Sequence, residues 1–485
     1  MSLSRVGGGQ RVRSGPGATF RLSPDIGRTV RLGLLLSCLP LAWTGAAAAH
    51  AQEAETSAPE PAPHHPLSLT GSMRVRYEAL RGQAHAGFPD TDTLLSIRTT
   101  VLLAYAQDRL RAGVELQDSR GYLGKRGGEV SANDVNVFEW IQAYAGLTVG
   151  SEGLVRVGRV KFDVGSRRLV AAHDYRNTAS AFTGLVATLP ASGGMATLFY
   201  TLPQQHRPDD QDAVLANRVQ WDHEGFDLQF WGTHLAGVPI GSGTLDIGYF
   251  GLNERDTPDR PTRNRKLHSL DLRLADAPGP DGADFELEAV YQFGSIRADT
   301  AADAAELPVS AWFVHAAAGY RFPGAPHARL SLAYDQASGD GSGGRYGRFD
   351  TLFGARRSDL GPGAIYGAVG RANILTPSVR LEVTPNQRLD GFVAYRAMWL
   401  DSRTDSFSTT AVRDASGGSG RFAGHQVEGR VRWWLLPHRA QLELNAAWLK
   451  KGRFLKEAPN APSTGDTLYG AVSLSIPFGS AVQKR

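Results

Sequence analysis

The sequence predicts an all-β protein, a transmembrane antiparallel β-barrel of about 18 strands. Three observations predict it. Apolar and charged residues alternate with period two, as in strands with two different faces. The alternating segments recur at about ten residues, the length with which a tilted strand crosses a bilayer. Their connections are either very short, as at 107–109 and 436–438, or long, as at 163–179 and 338–370, which is typical of bacterial outer-membrane barrels.

The N-terminus predicts secretion. Residues 1–51 combine six arginines, an uncharged apolar run at 32–43 and small residues that end in Ala49-His50-Ala51. This order of basic, apolar and small residues indicates a signal peptide over 1–51, with residues 52–66 as a flexible lead-in. An N-terminal membrane anchor and a lipoprotein at Cys38 are the alternatives. Since Cys38 is the only cysteine, the mature chain would have no disulfide and no thiol chemistry.

Loss of the signal peptide changes the charge. The whole chain carries +4, but residues 1–51 hold six of its 52 basic residues and one of its 48 acidic ones. The mature chain therefore has 46 basic and 47 acidic residues, close to neutrality. The composition gives no support to nucleic-acid binding, which needs a strong excess of positive charge.

The strands can be placed by their alternation. Residues 213–236 are expected to hold one strand preceded by a loop extension, because both termini on the periplasmic rim require an even number of strands. The barrel then occupies 67–478, with a tail at 479–485. The predicted strands are 67–79, 93–106, 109–119, 135–148, 153–162, 180–189, 194–202, one within 213–236, 244–253, 265–275, 284–295, 310–322, 327–337, 372–384, 387–400, 421–436, 439–450 and 466–478.

A barrel of this size has an interior too wide for side chains to fill, which predicts a water-filled pore. Only seven of the 46 mature basic residues are lysine, and arginine offers carboxylates a planar, permanently charged fork. A lumen lined by arginine would favour anions. The alternative explanations for this arginine content are genome composition and the mixed charges that line any porin interior. The candidate pore-lining residues on strands are Arg74, Arg76, Arg98, Arg111, Glu139, Arg159, Arg380, Arg396 and Arg430.

Ordered motifs resemble the alginate export family of outer-membrane proteins. They are Gly158-Arg159, Arg168-Leu169-Val170, Asp174-Tyr175-Arg176-Asn177-Thr178, Ala181-Phe182-x-Gly184, Tyr334-Asp335-x-Ala337-Ser338-Gly339-Asp340, Phe349-Asp350-x-Leu352-Phe353 and Asn373-Ile374. The resemblance covers essentially the whole mature chain in order and spacing.

The resemblance implies a monomeric 18-stranded barrel whose arginine-lined constriction passes an anionic uronate polysaccharide, with periplasmic export components as possible partners. It adds Arg168, Asp174 and Arg176 to Arg159 as the best pore residues, on a 163–179 loop that folds inward. For Asn177 and Asp340 we favour a loop-pinning role. The sequence departs from the family at Thr183, where an aspartate is expected, and at its end, because residues follow the terminal aromatic Phe478.

Motifs for enzyme chemistry are missing from the sequence. It holds no G-x-S-x-G, no H-E-x-x-H and no P-loop lysine. We therefore expect no enzyme and no cofactor, with calcium at Asp209, Asp210 and Asp212 as a weak candidate. Two alternatives to the polysaccharide conduit stay open: a porin for small nutrients or ions, and an enzyme assembled at the barrel rim.

Overall fold

A computed structural model gives the fold and describes residues 66–341, 343–355 and 357–479. The predicted signal peptide, residues 52–65 of the predicted lead-in and residues 480–485 of the predicted tail lie outside these residues. Within them, no helix is both long and apolar enough to cross a membrane. No group of three or more His, Cys, Asp or Glu side chains in the same residues is arranged to hold a metal ion.

The chain forms one closed antiparallel barrel of 18 strands, as predicted. Each strand pairs with its neighbours in sequence, and β1 pairs with β18 to close the ring. Every backbone amide in the wall thus has a partner strand, which is the condition for crossing lipid with strands. The strands are β1 Leu67–Arg81, β2 Thr91–Gln107, β3 Leu110–Tyr122, β4 Asn136–Val149, β5 Gly153–Val160, β6 Phe182–Ala191, β7 Gly194–Pro203, β8 Leu228–Ile240, β9 Gly243–Glu254, β10 Lys266–Asp276, β11 Gly282–Arg297, β12 Glu306–Arg321, β13 Arg329–Ala337, β14 Ile374–Asn386, β15 Leu389–Trp399, β16 Phe422–Leu436, β17 Ala440–Lys451 and β18 Thr467–Gly479.

The region 213–236 contains the start of a single strand, as the parity argument predicts. Residues 204–227 form a connection with the short helix α1 (Gln211–Leu215), and β8 then begins at Leu228. The parity argument therefore led to the correct number. Two other short α-helices, α2 (Arg357–Leu360) and α3 (Phe454–Glu457), and a 3-10 turn at Ala364–Tyr366 also lie in long connections.

The two rims differ in the length of their connections. The start of β1, the end of β18 and the short turns, such as 108–109 and 150–152, lie on one rim. The long connections 161–181 and 338–373 lie on the other. In bacterial outer-membrane barrels the long loops are extracellular. The barrel therefore stands with its termini toward the periplasm.

The wall alternates as the sequence predicts. On β1, Met73 and Tyr77 are exposed on the outside, while Arg74, Arg76 and Glu78 are buried inside. Apolar side chains thus face lipid and charged ones face the lumen. At the seam, Phe478 packs over Gly71, where a Cβ would come within 2.5 Å of its ring. The terminal aromatic residue therefore takes part in closing the barrel although residues follow it.

Candidate functional site

Two extracellular connections fold into the barrel and join each other. They are 161–181, between β5 and β6, and 338–373, between β13 and β14, and together we call them the crossbar. Phe353 donates its amide to the Leu169 carbonyl at 3.0 Å, and its own carbonyl accepts from Ala171 at 3.0 Å. Ala355 extends the pairing by donating to Arg167 at 2.8 Å. The inward fold of the first loop agrees with the expectation for 163–179, whereas the second loop's contribution was not foreseen.

One end of the crossbar is held by arginines from β1 and β2. Arg74 donates to the carbonyl of Arg176 at 2.7 Å, and Arg76 donates to that of Tyr175 at 3.1 Å. Arg98 reaches the carbonyls of Asp174 and Arg176. The Arg76 guanidinium also lies 4.6 Å from the centre of the Tyr175 ring. These three predicted pore residues therefore hold the loop that narrows the pore.

The other end of the crossbar is held by carboxylates. Arg168 reaches Glu286 on β11 at 2.6 Å, and it also contacts Glu288 on the same strand. A third carboxylate, Asp359 of α2, lies 2.9 Å from the Arg168 Nε. In a ring of 18 strands β2 and β11 are nine places apart, so the two anchors face each other across the lumen.

Charge also joins the two loops of the crossbar. Asp359 contacts Arg168 from the first loop and Arg371 from its own, and Arg396 of β15 donates to its backbone carbonyl. Burial opposes ionisation of Asp359, but the two guanidiniums outweigh burial and hold the pKa of this carboxyl well below its usual range. Asp359 and Arg371 carry a central part of the site, and no motif in the sequence singled them out.

Asp174 lies near the β1–β2 anchor. Its carboxylate is 3.4 Å from the Lys161 ammonium, which also contacts Glu115 at 3.0 Å. Burial raises the pKa of Asp174, but Lys161 and Arg98 outweigh burial and lower it below the usual value. Asp174 therefore acts as a charged partner within the constriction. The predicted residue Arg176 contributes its carbonyl to the anchor, and its side chain donates to Asn133 at 3.2 Å.

Asn177 and Asp340 make contacts that pin loops. The buried Asn177 amide donates to the Asp134 carbonyl at 2.8 Å and to the Arg120 carbonyl at 3.3 Å. The Asp340 carboxylate accepts from the Gly347 amide at 2.9 Å. Both side chains fix their own loops, as their residue types suggest.

Arg159 and Glu139 form an ion pair near the extracellular ends of β5 and β4, and Glu139 pairs in register with the inward-facing Gln117 of β3. Arg159 pairs with Ala143 on the face of β5 that also carries the exposed Val157, so it points to the outside of the wall near the extracellular rim. Its guanidinium contacts Glu139 at 2.7 Å. Thr183, opposite Arg159 on β6, shares this outer position. The alternation of β5 therefore places the Arg159 Cβ on the lipid-facing side, and the assignment of Arg159 to the pore lining stays a prediction.

Three arginines lie on the inner wall formed by β14, β15 and β16. The Arg380 guanidinium lies 3.7 Å from the centre of the Phe392 ring, and that of Arg430 lies 5.1 Å from it on the next strand. Arg380 contacts Glu382 at 3.0 Å, and Arg430 contacts Asp390 at 3.2 Å. Arg396, near the crossbar, is the third. Arg111 lies at the periplasmic end, where it donates to the Asp108 carbonyl at 3.0 Å.

The wall around β9–β11 is acidic, and sequence reasoning missed it. The signal was visible on β11, where three acids alternate with Phe285 and Leu287. Arg273 and Arg329 neutralise part of this wall through Asp246 at 2.9 Å and Asp284 at 2.5 Å. The acids on the inner face are Asp246, Asp271, Asp284, Glu286 and Glu288.

The weak calcium candidates have other partners in the structure. Asp210 caps α1 by accepting from the Ala213 amide at 2.8 Å. Asp209 pairs with Arg207 at 2.8 Å, and Asp212 pairs with Arg126 at 2.6 Å. Each carboxylate thus has a local role in the 204–227 connection or beside it.

Comparison with known proteins points to the same architecture. The model of a family described as alginate export matches residues 65–467. No curated protein matches the sequence. Among solved structures, OccAB1 of Acinetobacter baumannii is 13% identical, with a TM-score of 0.54 over 85% of this chain and 96% of that one. The outer membrane protein OprD of Pseudomonas aeruginosa is 13% identical, with a TM-score of 0.52 over 86% and 94%.

A third similar structure, OpdK of Pseudomonas aeruginosa with vanillate, is 13% identical, with a TM-score of 0.54 over 85% of this chain and 99% of that one. At such identities the likeness concerns the fold alone. The match to the family model, in contrast, extends from just before β1 to the first residue of β18.

Proposed function

Because the chain belongs to the alginate export family and forms an 18-stranded barrel of the porin type, it is an outer-membrane channel, and we propose that it passes anions bearing carboxylates. The finer proposal is a uronate-type polysaccharide or a related anionic solute. We further propose that the channel acts as a monomer in outer-membrane lipid, without a catalytic step or a cofactor. Periplasmic export components are its expected partners if the solute is a polymer.

The observation that carries the proposal is the row of arginines on β14–β16. Arg380 and Arg430 come from strands on either side of β15, and the Phe392 ring of β15 lies between them. Stacking on an aromatic face restricts the plane of a guanidinium, whose edge carries the hydrogen-bond donors. Planar forks held on a wall suit the carboxylates that recur along a polyuronate.

A porin for small solutes is the second candidate, and the crossbar favours it. Two loops that join inside the lumen reduce the free cross-section, which is easier to reconcile with a small anion than with a polymer chain. The similar OpdK structure holds vanillate, a small carboxylate. Both candidates share the arginine wall, and they differ in whether an oligomer can enter.

The test is the reversal potential of the purified protein in a planar bilayer under a salt gradient, with and without an oligouronate. We expect anion selectivity, partial block by the oligouronate, and a several-fold weaker block in Arg380→Gln. Arg109→Gln is the matched control, because Arg109 lies on an exposed periplasmic turn. Cation selectivity would contradict both candidates. Anion selectivity with no response to the oligouronate would contradict the polysaccharide and leave the small-solute porin.

A further inference from the structure

The extracellular rim is low at β5 and β6, which have eight and ten residues. With eight residues, β5 is the shortest of the 18 strands, and a membrane-spanning strand needs about 9–11. The 204–227 connection, which we call the outer segment, lies over this low rim. Gln204 donates its amide to the Ala181 carbonyl at 2.9 Å, and Asn136 of β4 donates to the Asp222 carboxylate at 2.8 Å. The outer segment therefore extends the wall above these strands.

The outer segment also covers a charge on the outside of the wall. The outward-facing Arg159 contacts Glu139 of β4 at 2.7 Å and Glu224 of the outer segment at 3.0 Å. Glu224 also accepts the Thr183 hydroxyl of β6. An uncompensated arginine on the lipid face costs up to about 4 kcal/mol at the bilayer midplane and less toward the interface. The second carboxylate thus makes this position compatible with nearby lipid.

The outer segment exposes three large apolar side chains: Val219, Trp221 and Phe226 are 58%, 66% and 64% exposed. Phe226 adjoins the lipid-facing band of the barrel. The Phe226 backbone carbonyl accepts from the side-chain Nε2 of Gln229 at 2.8 Å. The side-chain Oε1 of Gln229 accepts from the Tyr200 hydroxyl at 2.8 Å. Tyr200 itself is exposed on the outer face of β7. Apolar exposure therefore continues from the membrane band onto this connection.

We propose that Val219, Trp221 and Phe226 dock on the outer leaflet of the membrane, so that the outer segment forms a lipid-facing part of the barrel wall. Aromatic side chains favour the membrane interface, where their rings lie among the upper acyl chains and head groups. Continuity with the lipid-facing band identifies lipid as the partner. The outer segment then seals the low rim, and Glu224 shields Arg159 from that lipid.

Single-cysteine labelling tests this assignment, because Cys38 is the only native cysteine. In a Cys38→Ser background, Trp221→Cys and Phe226→Cys are labelled with a polarity-sensitive fluorophore and reconstituted into vesicles of phosphatidylcholine. Quenching is measured with a nitroxide carried on the lipid and with iodide present on both sides of the membrane. Val157→Cys is the lipid-facing reference, and Asp209→Cys, on an exposed part of the same segment, is the aqueous reference.

We expect the nitroxide to quench both labels to within a factor of about two of the Val157 reference, as for groups at the interface of the bilayer. Iodide should quench them clearly less than the label at Asp209. Labels at Trp221 and Phe226 that behave like the one at Asp209 would overturn the proposal. Adding Glu224→Gln should shift the quenching of the Phe226 label toward that of the aqueous reference. Glu457→Gln, which changes an exposed extracellular acid of another loop, should not.

Discussion

The two anchors of the crossbar use the same side chain in opposite ways. At β1 and β2 the barrel supplies the guanidiniums, and the loop offers neutral carbonyls to Arg74, Arg76 and Arg98. At β11 the loop supplies the guanidinium of Arg168, and the barrel offers carboxylates. The first anchor therefore depends on hydrogen bonds and the second one on paired charges. The difference teaches that an arginine on a pore wall can serve to place a loop rather than to meet the solute.

The largest expected effect comes from breaking the charged anchor with Arg168→Met. This change leaves Glu288 and Asp359 without their shared cation, and loss of one partner of a buried ion pair costs about 3–5 kcal/mol. The crossbar should detach from β11 and raise the single-channel conductance several-fold. Planar-bilayer recordings and urea unfolding measure the two effects.

Arg167→Met is the control for that change, since Arg167 lies next to Arg168 but pairs with the half-exposed Asp163 at 3.3 Å. It should change stability by less than about 1 kcal/mol. Equal conductance of the Arg168 variant and the wild type would show that the crossbar does not depend on the carboxylates of β11.

A smaller effect on the free energy of unfolding is expected from a change of pH. Its direction differs between an acid near the β1–β2 anchor and an acid at the charged anchor. The backbone carbonyl of Asp134 accepts from Asn177 of the anchored loop, and its carboxyl interacts with the charges of Arg76 and Arg176 at the β1–β2 anchor. Burial, together with repulsion by Glu78, raises the pKa of Asp134 to about 6. Because this is above the unfolded value of about 3.9, the folded state binds the proton more tightly, and stability rises as pH falls from about 6 to 4. The lowered pKa of Asp359 works the other way, and its contribution is lost only below about pH 4.

Urea unfolding of the wild type and Asp134→Asn at pH 4 to 7 checks this sign. At pH 7 the variant should be more stable than the wild type by up to about 3 kcal/mol, and the gain should shrink toward pH 4. A gain that does not depend on pH would mean that the Asp134 carboxyl does not titrate in this range.

The smallest effect is expected from removing one guanidinium of the hydrogen-bonded anchor. Arg74→Gln removes the donors to the carbonyls of Arg176 and Asp174, which should cost about 1–2 kcal/mol because Arg76 and Arg98 still hold the same segment. Conductance should change less than in Arg168→Met. The control is Arg120→Gln, which removes a half-exposed ion pair with Asp118. A larger effect than that of Arg168→Met would reverse the order of the two anchors.

Part of the site could be predicted from residues alone. The period of two placed Arg74, Arg76 and Arg98 on the inner face, because side-chain direction alternates in any strand. It could not say that these arginines bind a loop, since the loop's carbonyls are 76 to 102 residues away in sequence. Arg159 took its pore role from a motif, while the alternation of β5 groups it with Val157 on the outer face.

By itself, the sequence determined the barrel, its number of strands and its orientation, because alternation, strand length and loop length are local properties that lipid and water act on directly. Only the tertiary structure decided where the lumen is narrowed and which charges remain on its wall. The crossbar joins Leu169 to Phe353, and Arg168 meets Asp359 across 191 residues. Such pairs depend on how two loops fold into a shared space, and no local pattern records that choice.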